Sequence, residues 1–146
     1  MSNITLQMDL YAGLVMTDIR LWNKKKDAYS KISIAVDTGA SVTTISKDIL
    51  FRAGYNIAER NIRRITTASG VEYVQEIYVD KIMLDNLEIN NVMVYAHTFP
   101  QESFSSGVLG LNVLSGFDVN LLFSKKLIVM TKIEDYCYTV IPPLGS

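Results

Sequence analysis

Apolar and polar residues alternate with a period of two along the first part of the chain. Over residues 4–16 every even position is apolar, and most odd positions are polar or small. This alternation is typical of half-buried β-strands rather than helices. Gly13 predicts a bend or bulge within the segment. Ile19 and Leu21 are out of phase with the earlier apolar set, so we expect a turn or bulge near residues 17–18.

The rest of the chain continues as short apolar segments separated by polar connectors. Residues 23–31 predict a solvated hairpin loop, and residues 46–55 predict a short helix that Ser46 caps and Gly54 ends. Further strands are predicted at 31–36, 60–67, 71–84, 91–96, 117–123 and 126–133. Many short strands with at most two short helices predict a mostly β domain, either closed into a barrel or sandwiched.

Composition narrows the classes of protein to which the chain can belong. With 146 residues, 49% hydrophobic and 20% charged, we expect one domain over residues 1–146 with a filled core. A net charge of -1 gives no basic footprint for nucleic acid. The single Cys137 excludes an intrachain disulfide and a cysteine-based metal site, and the lone His97 argues against a histidine-rich one. We therefore predict no metal site.

The N-terminal segment MSNITLQMDLYAGLVMT has no basic start, and polar residues interrupt its apolar positions. It therefore lacks the pattern of a secretory signal or of a membrane span. Together with the single thiol, this predicts a cytoplasmic protein without membrane association.

One stretch carries candidate chemistry. The predicted strand that ends at Val36 runs directly into Asp37 and then into small residues, in the sequence AVDTGAS. Alone, an Asp-Thr-Gly triplet is weak evidence, because an aspartate after a strand commonly makes an ordinary Asx turn. A second element strengthens it. The segment GVLGLNVL, residues 107–114, predicts a strand, a closely packed glycine and a short helix.

Together these motifs resemble the retropepsins, the single-domain aspartic proteases of retroviruses and their cellular and bacterial relatives. The first motif matches the active-site loop of that family at Asp37, Thr38, Gly39 and Ala40. The second motif matches the element that braces this loop at Val108, Leu109 and Gly110. The resemblance spans about residues 30–133 and implies a closed acid-protease β barrel.

The match is closer to cellular and bacterial relatives than to retroviral forms. Retroviral enzymes usually carry acids after the motif glycine and an arginine after the second motif's glycine. Those positions here are Ser41, Val42 and Leu111. Ala40 also removes a hydroxyl donor to the carboxylate, which predicts a weakly rather than strongly acidic pH optimum.

The resemblance also implies a substrate site and a dimer. Residues 63–75 read as a β-hairpin that corresponds to the family's flap, on which Ala68, Ser69 and Gly70 contact substrate. Peptide hydrolysis by carboxylates needs one ionised and one protonated group around a water. This chain offers only one Asp-Thr-Gly, so two copies must meet about a two-fold axis and each contributes Asp37. Residues 1–30 and the tail 134–146 are candidates for the dimer interface.

Two functions remain in view, with a weaker third. The favoured function is an aspartic endopeptidase that acts as a homodimer on peptide or protein substrates in an extended conformation. Such an enzyme needs no metal and no organic cofactor, only water. The alternative is a non-catalytic module that keeps the retropepsin fold in order to dimerise or to bind a peptide. An unrelated β-barrel with a chance triplet is the third.

Overall fold

The computed structural model describes residues 3–57, 62–98 and 105–134. Its strands are Asn3–Gln7 (β1), Asp9–Tyr11 (β2), Leu14–Asn23 (β3), Ala28–Val36 (β4), Thr44–Ser46 (β5), Ile62–Thr67 (β6), Gly70–Leu84 (β7), Leu87–His97 (β8), Gly107–Leu109 (β9), Phe117–Leu122 (β10) and Leu127–Lys132 (β11). The helices of these ranges are Lys47–Arg52 (α1) and Leu111–Leu114 (α2). The predicted mostly β fold with one or two short helices is confirmed. None of the described helices is long and apolar enough to cross a membrane.

The larger sheet closes on itself. Its strand order is β2-β3-β4-β9-β5-β8-β7-β6, and β3 also pairs with β7 where Arg20 faces Met83 and Leu21 faces Ile82. The strands from β3 through β4, β9, β5, β8 and β7 therefore form a ring, which is compatible with the predicted closed arrangement. The hairpin of β6 and β7 extends from this ring, and β6 is its edge strand.

A second, three-stranded antiparallel sheet joins the two ends of the described chain. Strand β11 lies in its centre, with β1 on one side and β10 on the other. Asn3 faces Thr131 in this sheet, so the N-terminal strand pairs within its own chain. The predicted tail 134–146, including Cys137, lies outside the described residues except for Glu134.

The core contains side chains from both sheets. Its largest fully buried side chains are Ile4, Ile19, Leu21, Ile34, Ile45, Leu50, Ile82, Leu84, Leu109, Ile128, Met130 and Val79. Burial of such side chains is the main driving force for folding. A smaller cluster of Val42, Val74, Met93 and Tyr95, with Ile65 packed against it, lies beside the main core.

The N-terminal strands differ from their prediction at one end. Even positions such as Ile4 and Met16 are buried, but Leu10 and Leu14 are 49% and 42% exposed. These two residues flank the turn at Gly13 (φ 77°), which the sequence did predict as a bend. The expected turn or bulge at residues 17–18 is wrong, because β3 runs through them in regular register with β4.

The phase shift in β3 has a different cause. Both Met16 and the next residue, Thr17, are buried. The Thr17 hydroxyl donates a hydrogen bond to the Gln7 carbonyl oxygen at 2.8 Å. A buried threonine with a hydrogen bond therefore changes the apparent alternation without breaking the strand.

The ends of several other elements also differ from the predicted ones. The predicted loop 23–31 is only a turn at residues 24–27, and β8 begins at Leu87 rather than residue 91. Polar residues on the outer face of a hairpin strand imitate a loop in sequence. Gly54 follows α1 with φ 93°, as predicted for a helix end, whereas Ser46 precedes α1 without making a side-chain cap.

Candidate active site

Asp37 lies directly after β4, at a point where two strands hold the backbone. Val36 pairs in parallel with Leu109 of β9. The Asp37 backbone N–H donates a hydrogen bond to the Leu109 carbonyl oxygen at 3.1 Å. The position of the loop is therefore fixed at its first residue by the strand of the second motif.

The loop folds back on the carboxylate. The Gly39 N–H donates to Asp37 Oδ1 at 2.9 Å, and the Ala40 N–H donates to the Asp37 carbonyl oxygen at 3.2 Å. A Cβ at residue 39 would lie 3.1 Å from Asp37 Oδ1, so glycine suits this close approach. Asp37 and Thr38 are exposed in the single chain. The carboxylate is thus oriented by backbone but open to solvent.

The second motif braces this loop from behind. The Leu111 N–H donates to the Ala40 carbonyl oxygen at 2.8 Å, and the Asn112 N–H donates to that of Ser41 at 3.1 Å. A Cβ at Gly110 would lie 2.6 Å from the Val42 carbonyl carbon. Backbone therefore packs against backbone here, and only glycine permits the contact.

A buried polar network reinforces the brace. Asn112 Oδ1 accepts hydrogen bonds from the N–H and the hydroxyl of Thr43, both at 2.8 Å. Asn112 Nδ2 donates to the Met93 carbonyl oxygen at 2.7 Å, and the Gly110 N–H donates to the Thr43 hydroxyl at 3.0 Å. Sequence reasoning assigned no such role to Thr43 or Asn112. The available signal was an asparagine inside the apolar run LGLNVL.

A cleft of about 810 Å³ separates the Asp37 loop from the β6–β7 hairpin. Of the predicted site residues, it is lined by Asp37, Gly39, Ala40, Ala68 and Val108. Thr38, Ser69, Gly70, Leu109 and Gly110 do not line it. The structure thus brings the aspartate loop and one residue of the hairpin turn to the same cavity, while Leu109 and Gly110 lie behind the loop.

Charged side chains line the hairpin side of the cleft, among them Arg63, Arg64 and Glu72. Arg63 Nε forms an ion pair with Glu76 Oε1, and His97 Nε2 lies 3.8 Å from Glu72 Oε2. Tyr95 lines the same cleft, and burial raises the pKa of its hydroxyl. Within the part of the chain that the structure describes, no cluster of three His, Cys, Asp or Glu side chains could hold a metal ion.

Comparisons with known proteins agree with this geometry. The structure is similar to the crystal structure of a retropepsin-like aspartic protease from Rickettsia conorii, with a TM-score of 0.65 and 19% sequence identity. That match covers 88% of this chain and 89% of the other, and at this identity it shows a shared fold. No curated protein sequence matches the chain.

A family model places the sequence more directly. The model described as "gag-polyprotein putative aspartyl protease" matches residues 28–116, more than half of the chain. This range contains both the Asp37 loop and the Gly110 brace. The chain therefore belongs to the retropepsin-like family of aspartic proteases.

Proposed function

We propose that this protein is an aspartic endopeptidase that acts as a homodimer, with Asp37 of each copy as its catalytic group. The observation that carries this proposal is the placement of the Asp37 carboxylate. It is exposed, oriented by the Gly39 N–H, and lines a cleft of about 810 Å³. An aspartate that served only to make a turn would not need a cleft of this size in front of it.

A second copy completes the site because one carboxylate cannot perform both roles. One group must accept a proton from water while the other donates a proton to the substrate carbonyl. Two carboxyl groups about 3 Å apart cannot both be ionised, so they share one proton. The exposure of Asp37 and Thr38 in the single chain suits residues that meet a partner. In this arrangement the Thr38 hydroxyl contacts the partner loop.

The reaction is then a direct attack by water. The ionised carboxylate of the Asp37 pair takes a proton as the water oxygen bonds to the scissile carbonyl carbon. The protonated carboxyl donates its proton to the carbonyl oxygen, which gives a tetrahedral diol. The protonated carboxyl then donates its proton to the peptide nitrogen while the ionised carboxylate takes a proton from a diol hydroxyl. The C–N bond breaks, a carboxylic acid and an amine leave, and the pair again holds one shared proton. No other reactant than water and peptide is required.

The substrate lies extended between the loop and the hairpin of β6 and β7, which acts as the flap. Among the strands that the structure describes, β6 pairs only with β7, and its other edge is available for hydrogen bonds with a peptide. Ala68 lines the cleft beside Asp37, and Ser69 and Gly70 follow at the exposed turn. Backbone groups of these three residues would bind the peptide main chain.

The remaining assignments are parts of the same proposal. The chain works as one domain over residues 1–146, with residues 1–30 and the tail 134–146 near the dimer interface. Its single cysteine, Cys137, suits a reducing cytoplasm, which we propose as its location.

Cleavage of a peptide library tests this function. Wild type should cleave, and a peptide mimic with a hydroxyl in place of the scissile carbonyl should inhibit it. Asp37→Asn should lose cleavage by at least roughly a thousandfold, because it removes the ionisable group. Asp118→Asn, a change at an exposed aspartate of β10, is the matched control and should retain activity. Equal cleavage by Asp37→Asn and wild type overturns the proposal, whereas peptide binding without any cleavage by wild type favours the non-catalytic module.

A further inference from the structure

Tyr95 presents an unsatisfied polar group beside the candidate active site. Its side chain is 5% exposed, and its hydroxyl oxygen has less than 1 Å² accessible to solvent. Within the described residues this hydroxyl has no hydrogen-bond partner. Buried tyrosine hydroxyls almost always have a partner, so an exception at a binding cleft requires an explanation.

The side chains around Tyr95 on this wall of the cleft are apolar. Val42 and Val74 line the cleft together with Tyr95, and all three belong to the cluster beside the main core. Ile65 of the hairpin packs against the same cluster and also lines the cleft. A substrate side chain that enters here therefore meets aliphatic groups along its length.

Two opposite charges lie near the Tyr95 hydroxyl. Arg63 and Glu76 both interact electrostatically with the Tyr95 hydroxyl, and they form an ion pair with each other. Glu76 also lies directly opposite Tyr95 in the β7–β8 register. Burial raises the pKa of the Tyr95 hydroxyl, so it keeps its proton near neutral pH and can donate a hydrogen bond.

Access to the hydroxyl requires movement of a neighbouring side chain. The side chain of Arg63 is free to move, because it is 42% exposed and Arg63 lies on the edge strand β6. A peptide that pairs with that edge passes directly beside Arg63. A peptide that binds along β6 can therefore displace the Arg63 side chain and expose the Tyr95 hydroxyl.

We propose that Tyr95 is a specificity-determining residue whose hydroxyl donates a hydrogen bond to the side-chain amide oxygen of a glutamine in the bound peptide. This inference rests on the proposed peptidase function. Glutamine has an apolar stem that suits the aliphatic walls and an end that accepts a hydrogen bond from Tyr95. Its amide nitrogen can donate to the Glu76 carboxylate. A glutamate would bring a second negative charge beside Glu76, and a methionine of similar length would leave the hydroxyl unpaired.

Matched peptides test this subsite. Each position near the cleavage site is varied among Gln, Met and Glu, and kcat/KM is measured for wild type, Tyr95→Phe and Tyr78→Phe. We expect wild type to prefer Gln over Met by roughly tenfold at one position, the usual contribution of one hydrogen bond. Tyr95→Phe should reduce the ratio of kcat/KM for the Gln peptide to that for the Met peptide to about one. Tyr78→Phe is the control, since Tyr78 is 51% exposed on β7 and does not line the cleft.

Thermal unfolding of the free protein provides a second readout. Because the hydroxyl has no partner to lose, Tyr95→Phe should unfold at the same temperature as wild type or higher. A clearly lower unfolding temperature would mean that the hydroxyl is bonded in the free protein, and the subsite proposal would be wrong.

The subsite and the peptidase function fail in different ways. If wild type cleaves peptides but shows no Gln preference, or if Tyr95→Phe keeps that preference, the subsite is overturned and the peptidase function stands. The opposite case is a correct subsite in a protein that does not cleave peptides. To detect it, binding of the same peptides is measured with Asp37→Asn protein, with and without Tyr95→Phe. A Tyr95-dependent Gln preference in binding, with no cleavage by wild type, retains the subsite and overturns the peptidase. If the peptides are neither bound nor cleaved, both the subsite and the peptidase function are overturned.

Discussion

The Asp37 side of the cleft is built from backbone packed on backbone, whereas the hairpin side is exposed over most of its length. Behind Asp37, Leu109 has no exposed surface and Thr43 is 1% exposed. On the hairpin, Val71 is 47% exposed and Tyr73 is 67% exposed. The loop is held by many buried hydrogen bonds, and the hairpin mainly by its own strand pairing. The cleft therefore combines a fixed carboxylate with a cover that few buried contacts restrain.

This contrast suits the proposed chemistry. A catalytic carboxylate must be held within a fraction of an ångström of its working position, because misplacement is expensive in rate. A cover that admits and releases an extended peptide must instead separate from the rest of the protein at little free-energy cost. Substitutions on the two sides should therefore differ in their effect on stability and on cleavage.

The largest effect is expected at Gly110. Gly110→Ala places a Cβ 2.6 Å from the Val42 carbonyl carbon and 2.8 Å from the Thr43 nitrogen, and neither backbone atom can move aside. We expect a loss of more than about 3 kcal/mol in the free energy of unfolding. Urea denaturation measures it. Gly13→Ala is the control, because φ there is 77° but no atom lies near the added Cβ, and it should lose only about 1 kcal/mol. Similar losses in the two variants would contradict the close packing of the brace.

A smaller loss is expected at Asn112. Asn112→Ala leaves the Thr43 N–H and the Met93 carbonyl buried without their partner. We expect about 2 to 3 kcal/mol of destabilisation and reduced cleavage, since the same residues position the Asp37 loop. Urea denaturation and peptide cleavage measure the two effects. Asn120→Ala, at an exposed position of β10, should be neutral in both. A neutral Asn112→Ala would show that the network does not brace the loop.

On the hairpin side, a substitution should reduce cleavage while it leaves stability nearly unchanged. Ala68 is exposed and lines the cleft, so Ala68→Asp should change the free energy of unfolding by less than about 0.5 kcal/mol. The new carboxylate lies where the substrate backbone passes, and kcat/KM should fall by roughly tenfold. Asn86→Asp adds the same charge at an exposed turn away from the cleft and should leave kcat/KM unchanged. Unchanged cleavage by Ala68→Asp would argue against the hairpin as the substrate cover.

The smallest effect concerns alkaline stability beneath the hairpin. Burial raises the pKa of Tyr95 above its ordinary value of 10.0, with Glu76 adding to the rise and Arg63 opposing it. Below about pH 10 the group is protonated in both the folded and the unfolded state. As the pH rises further, the unfolded state loses its proton first, so stability falls as the pH approaches the raised folded pKa. Above about pH 10, Tyr95→Phe should lose less stability than wild type as the pH rises. Equal losses in the two proteins would contradict this assignment.

The sequence predicted the fold and the centre of the site more fully than their surroundings. Asp37, Gly39 and Gly110 were predictable because two motifs in the right order match the retropepsin family, and close approach at Gly39 and Gly110 explains the glycines. The asparagine in LGLNVL was a signal, but its pairing with Thr43 and the position of Tyr95 were not predictable, because a buried polar group is recognised only by its neighbours in space. Thr17 misled the strand pattern for the same reason, since its buried hydroxyl bonds to a residue ten positions earlier in the chain.

The central claim is that Asp37 of two copies forms one active site. Mixing wild type with increasing amounts of Asp37→Asn protein, with the subunits allowed to exchange, tests it most directly. If each active site needs both carboxylates, activity should fall with the square of the wild-type fraction, so that an equal mixture retains about one quarter of the activity of the same total amount of wild type. An equal mixture that retains about half, and so follows the wild-type fraction linearly, would show that one Asp37 suffices and would contradict the account.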